Sequence, residues 1–213
     1  MDHVLTLLIV VPLAGLIPLI LFFRDVRAVK QVAVVTTIVE LALSVVMLAQ
    51  FHVGEAGFQM VESVPWIPSF GIRYELGVDG ISVLLIPMTT LLTFVAVLYS
   101  TGGAIKERIG EFMAAFLLLE VGMVGVFMAL DLFLFYVFFE LMLVPMYLII
   151  GIWGGPRKVY ATLKFVLFTL AGSLLMLVGV IGEYVATGRQ TLDRKSTRLN
   201  SSHERLSRMP SSA

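Results

Sequence analysis

The sequence has no cysteine, only three histidines and two tryptophans in 213 residues, and charged side chains make up just 14% of it. Without cysteine there is no disulfide framework and no thiolate to hold zinc or an iron–sulfur cluster. His3, His52 and His203 are scattered and share no metal-ligand spacing. The chain itself therefore offers no recognisable metal or redox motif. The scarcity of charge excludes an ordinary soluble domain, which carries about 25% charged residues. What is present instead is 59% hydrophobic residues and a mean hydropathy of +0.98. Those values describe an all-α polytopic membrane protein.

The C-terminus is the polar exception. From Asp193 the sequence reads DRKSTRLNSSHERLSRMPSSA, with none of the preceding helical pattern. Asp193 to His203 reads as a translated sequencing adapter, and Ser207 to Ala213 fits the continuation of the same adapter. Residues 193–213 are thus expected to be a non-native, disordered tail, and residues 1–192 a truncated membrane region. A disordered polar tail of biological origin is the alternative. With the tail set aside, the formal neutrality of the whole chain becomes 13 acidic residues against 10 basic ones.

Six apolar stretches follow one another: Val4–Phe23, Gln31–Phe51, Gly80–Tyr99, Phe112–Leu130, Phe133–Gly155 and Tyr160–Ala186. Each is about twenty residues or more, enough to cross a bilayer as a helix. The first is not read as a signal peptide, because its n-region is Met-Asp-His and no small-residue cleavage site follows. Arg24, Arg27, Lys30, Lys106, Arg108, Arg157 and Lys158 lie in alternate connections, while Arg73 and Arg189 alone lie in the others. The positive-inside rule places the basic connections in the cytoplasm and both ends of the six-span region outside.

The longest connection, His52–Val78, holds Glu55, Glu62 and Glu75 against Arg73 alone, as suits an external loop. Val64-Pro65-Trp66-Ile67-Pro68 sets a tryptophan between prolines, an interfacial anchor. Ile72, Tyr74, Leu76 and Val78 alternate with Arg73, Glu75 and Gly77, which predicts a strand pairing with Phe58–Val61 in a small hairpin.

Within the fifth span, FLFYVFFELMLVPMYLIIGIWGG, Glu140 stands alone near the middle. An ionisable group there costs about 2.5–3.5 kcal/mol on insertion scales, so it needs a partner or a task. Pro145 has no N–H to give the carbonyl of Leu141, which leaves an acceptor near that carboxyl group. Tyr136 at i−4 and Tyr147 at i+7 fall on the same helical stripe. A structural glutamate between helices is the alternative reading. Glu40 and Glu120 interrupt the second and fourth spans, and Lys164 lies near one end of the sixth, where it is either functional or a snorkelling end residue. Ala115, Gly122, Gly125 and Ala129 form a small-residue stripe for close packing, and Gly172, Gly179, Gly182 and Ala186 share a face of the sixth span.

Three segments carry a family resemblance. Pro65-Trp66-Ile67-Pro68-Ser69-Phe70-Gly71-Ile72 followed by Leu76-Gly77-Val78-Asp79-Gly80-Ile81-Ser82 is the first. Leu117-Leu118-Leu119-Glu120-Val121-Gly122-Met123 is the second. Phe138-Phe139-Glu140 through Pro145-Met146-Tyr147 to Gly151-Ile152-Trp153-Gly154 is the third and most specific. Together they resemble the subunit M family of proton-translocating NADH:quinone oxidoreductase (respiratory complex I), over about Leu5 to Leu192. The resemblance implies the N-terminal part of an antiporter-like fold with inverted repeats of five helices, in a bacterial inner membrane. Glu140 matches the family's fifth-helix glutamate, whose proton affinity a seventh-helix lysine modulates; that lysine would lie beyond Leu192. Glu120 falls in the fourth-helix motif, and Lys164 matches a position at the start of the sixth helix, on the cytoplasmic side of the ion path. Glu40 matches no family position, and an interhelical or channel-facing structural role is expected for it.

The resemblance also implies other membrane subunits and the lipid bilayer as partners, with no nucleic acid. No cofactor is expected in this chain; NADH, FMN, iron–sulfur clusters and quinone would belong to partner subunits. A buried carboxylate without a partner favours its protonated form, and an approaching cation favours release of the proton. A series of such sites can load and release protons without a bound redox group. Three other readings stay open: a subunit of a multisubunit sodium/proton antiporter, the membrane arm of a hydrogenase or another dehydrogenase, and a non-conducting scaffold. The loop motif from Trp66 to Ser82 favours subunit M over the first, and Glu140 near Pro145 argues against the last.

Overall fold

The computed structural model describes residues 3–22, 25–55, 57–105 and 107–187. The tail 193–213 lies outside the described residues, as do Arg24, Lys106 and Arg189 of the charge argument.

Six helices alternate in direction: α1 (Val4–Leu21), α2 (Val26–Gln50), α3 (Ser82–Tyr99), α4 (Ile109–Met128), α5 (Leu132–Trp153) and α6 (Lys158–Thr187). All six are long and apolar enough to cross a membrane. The expected spans are all there, with ends moved by a few residues. α2 starts at Val26 rather than Gln31 because the Asp25 carboxylate accepts the N–H groups of Arg27 and Ala28 at 2.9 and 3.3 Å. Lys30 therefore sits inside the helix and donates its ammonium to the carbonyl of Thr101 at 2.8 Å. At the same end of the bundle, the Trp153 indole donates to the carbonyl of Glu107 at 2.9 Å. That end gathers Arg27, Lys30, Arg108, Arg157 and Lys158.

The opposite end is covered by an antiparallel hairpin of β1 (Gln59–Ile67) and β2 (Ile72–Val78). The hairpin exceeds the expected one: β1 continues six residues past Val61, through Trp66. Irregularities between Gln59 and Glu62 and between Pro65 and Ile67 absorb the proline, which has no N–H for a ladder. A short helical turn at Pro68–Phe70 closes the hairpin, and Gly71 follows at φ +71°, a conformation that favours glycine.

Acidic side chains fasten this hairpin to the helices. Glu62 accepts the backbone N–H of Leu5 at 2.9 Å and the Thr6 hydroxyl at 2.5 Å, so β1 caps α1. Buried Asp131 caps α5 through Phe133 and Leu134 at 2.9 and 3.1 Å, and also accepts the N–H of Arg73 at 3.3 Å. Leu130 donates its N–H to the carbonyl of Glu75 at 2.9 Å.

α4 is the centre of the molecule and packs on α1, α2, α3 and α5. In its apolar stretch 61% of residues are buried, against 11% for α6, which packs mainly on α5. The small-residue stripe of α4 explains the α4–α5 contact. A methyl group on Gly125 would meet the Phe138 ring, and one on Gly122 would meet Met142 and the backbone of α5. The glycines of α6 behave differently: Gly172, Gly179 and Gly182 meet nothing within 4 Å, so that shared face looks outward.

Candidate functional site

Glu140 stands in the third turn of α5, half-buried, and its Oε1 has no hydrogen-bond partner. Tyr136, one turn earlier, faces both Glu140 and Ser173 of α6. Ser173 is buried and already donates its hydroxyl to the carbonyl of Leu170 at 3.1 Å. One of the two expected tyrosines therefore joins the carboxyl group. The other, Tyr147, is 50% exposed on the outer surface of α5. Pro145 is buried within an otherwise continuous helix.

Glu120 is fully buried in α4, and Glu40, fully buried in α2, faces it. None of the four carboxyl oxygens has a hydrogen-bond donor. Hydroxyl groups on α2 and α3 donate to their own backbone. Thr37 donates to Ala33 and Val34 at 3.1 Å each, Thr93 to Thr89 at 3.1 Å, and Ser44 to Leu41 at 2.8 Å. Ser44 and Thr90 also touch each other at 2.8 Å. Sequence alone offers Glu40 no partner; the one signal for the pair is its depth, near the middle of a span as Glu120 is.

Lys164 is exposed on α6, with its ammonium 5.9 Å from the ring centres of Tyr160 and Phe168. It lines an open groove of about 500 Å³ with Arg157, Tyr160 and Phe168. Nine residues separate it from Ser173, about 14 Å along a helix, so it does not meet Glu140. Among the described residues no three His, Cys, Asp or Glu side chains gather as a metal site would require.

These features define a helical membrane region of six spans with carboxyl groups buried among them, and solved structures share the fold. Respiratory complex I from Thermus thermophilus with bound NADH contains a chain 29% identical to this one, with a TM-score of 0.74, over 88% of this chain and 37% of that one. The Mrp complex from Dietzia sp. DQ12-45-1b gives the same TM-score of 0.74 at 21% identity, a likeness of fold alone, over 89% of this chain and 20% of that one.

Residues 129–210 match the family described as NADH:quinone oxidoreductase/Mrp antiporter, TM, a span that runs past residue 192. NADH-quinone oxidoreductase subunit M of Rhodobacter capsulatus is 43% identical over 193 residues, 88% of this chain and 37% of that protein. NADH-ubiquinone oxidoreductase chain 4 of Marchantia polymorpha is 38% identical over 187 residues, 87% of this chain and 38% of that protein. The chain is similar to these subunits over most of its own length, as the motifs around Trp66, Glu120 and Glu140 implied. It spans less than two-fifths of the length of these relatives, which their names identify as subunits of a quinone-reducing enzyme complex.

Proposed function

We propose that the chain is part of a proton-translocating membrane subunit of an NADH:quinone oxidoreductase, with Glu140 as a proton-carrying residue of its path. The observation that supports this most is the position of Glu140: an unpartnered carboxyl oxygen inside α5, five residues before Pro145 and facing a tyrosine. Glutamate at such a site takes up a proton when its surroundings are uncharged and releases it when a cation approaches. Tyr136 offers a hydroxyl that can pass the proton toward α6. Glu120 holds a proton in the adjoining helix, and Lys164 receives or repels protons at the basic end of the bundle.

The basic connections face the cytoplasm of a bacterium and the hairpin faces the periplasm, where both ends of region 1–192 also lie. Electron transfer from NADH through FMN and iron–sulfur clusters to quinone is the task of partner subunits. The names of the relatives support this reading over the sodium/proton antiporter, since those at 34–43% identity are oxidoreductase subunits.

The test is NADH-driven proton uptake by inverted membrane vesicles that carry the full-length subunit in its complex. Uptake should vanish when the subunit's gene is deleted, return on complementation, and persist in sodium-free buffer. Uptake driven by a sodium gradient in the absence of NADH would move the chain to the antiporter class.

A further inference from the structure

We propose that Glu40 and Glu120 form a second proton-binding site, a carboxylic acid–carboxylate pair that shares a proton within the α2–α3–α4 core. Both side chains are wholly removed from solvent, and each is aimed at the other. Two adjacent negative charges in such buried surroundings are strongly unfavourable, since burial and mutual repulsion both oppose ionising the second carboxyl group.

The surroundings supply no substitute. α1 has no ionisable side chain, and α3 has only Tyr99, 75% exposed at its end. On α2, Arg27 and Lys30 lie in the first turns, and Lys30 is bound to Thr101. On α4, Glu111 pairs with Arg108 at the helix start. α5, packed on the other side of α4, brings Glu140, Tyr136 and Tyr147 but no base.

The missing element is therefore a donor, because all four oxygens are acceptors without one. A proton on either carboxyl group creates an O–H that donates to the other, and one hydrogen bond then serves both residues. A hard metal cation fits less well, since it takes about six or more oxygen ligands. The two carboxyl groups together bring four oxygens, fewer than such an ion needs.

The pair can also take up one further proton, becoming two neutral acids, and return it without any covalent change. Thr37 and Ser44 lie about one turn to either side of Glu40 on α2, so hydroxyl oxygens flank the site in both directions. α4 carries Glu120 on the helix that also packs against α5 and Glu140. The pair's use in transport rests on the proposed function; its proton occupancy does not.

The experiment is infrared spectroscopy of the full-length subunit in its reconstituted complex, with and without carboxyl-13C glutamate. The readout is the carbonyl stretch of protonated glutamic acid at neutral pH. A band moved by the label and by D2O, and still present in Glu140→Gln, is expected. Glu40→Gln and Glu120→Gln should each lose it, because a glutamine N–H replaces the proton as donor to the remaining carboxylate. Glu40→Asp, which keeps the acid but changes its reach, should shift the band rather than abolish it.

Absence of the band in Glu140→Gln would overturn the proposal, as would its persistence unchanged in both glutamine variants. Its displacement by sodium at constant pH would show a cation site instead and would also overturn it. Should a glutamine variant not assemble, Glu40→Asp decides by an unshifted band. A complex that shows the band yet pumps no protons would refute the proposed function and leave the pair intact.

Discussion

Gly125 has no side chain, and that absence sets where the fifth helix can lie. Any Cβ at this position runs into the Phe138 ring, which is two residues from Glu140. Gly125→Val should therefore push α5 away and destabilise the bundle by about 1–3 kcal/mol, the usual cost of overpacking. Thermal unfolding of the purified full-length complex measures it; an unchanged transition would mean that the contact is not tight. Glu140 itself was legible in the sequence, because a single carboxylate in a long apolar run announces itself. Its partner Tyr136 followed from helical spacing. Glu40 and Glu120 were each visible too, but their meeting was not, since nothing local in the sequence says that α2 and α4 are neighbours. Tyr147 shows the same limit in reverse: it shares the stripe of Glu140 on spacing alone and ends exposed.

At the scale of elements, the hairpin acts as a clasp across one end of the bundle, fastened by carboxylates. Asp79 starts α3 by accepting the N–H groups of Ser82 and Ile81 at 2.8 and 3.1 Å, while its own N–H donates to the Ser82 hydroxyl at 2.9 Å. The backbone N–H of Ser82, before the smaller opposing effect of burial, holds the Asp79 carboxyl below its ordinary value of 3.8. A lowered value means that the ionised cap stabilises the fold above pH 3.8 and that this is lost as pH falls through the lower, folded value. Amide exchange at Ile81 and Ser82 should accelerate with that acidification in the wild type, beyond the intrinsic change in exchange rate. In Asp79→Asn the extra acceleration should be gone. Equal pH dependence in both would remove Asp79 from the role. The alternation of Ile72–Val78 made β2 legible, whereas the length of β1 was hidden by Pro65, which reads as a strand breaker until the bulge accommodates it.

At the scale of the whole molecule, the six spans were legible because bilayer thickness fixes their length, and charge separates the two ends. What sequence did not show is the unequal burial, with α4 enclosed and α6 outward, because hydropathy is alike for a helix facing lipid and one facing protein. Reporter fusions after Lys30 and Lys158 of the full-length protein should behave as cytoplasmic, and one after Phe70 as periplasmic; the opposite pattern would reverse the proposed orientation. The central claim is that Glu140 carries protons, and NADH-driven acidification in inverted vesicles with Glu140→Gln tests it most directly. Glutamine keeps the size and hydrogen-bonding capacity but cannot take up and release a proton, so pumping should fall by about tenfold or more. Glu140→Asp should retain part of it, with assembly of both variants verified on native gels. Full pumping by an assembled Glu140→Gln complex would contradict the account and reduce Glu140 to a structural residue.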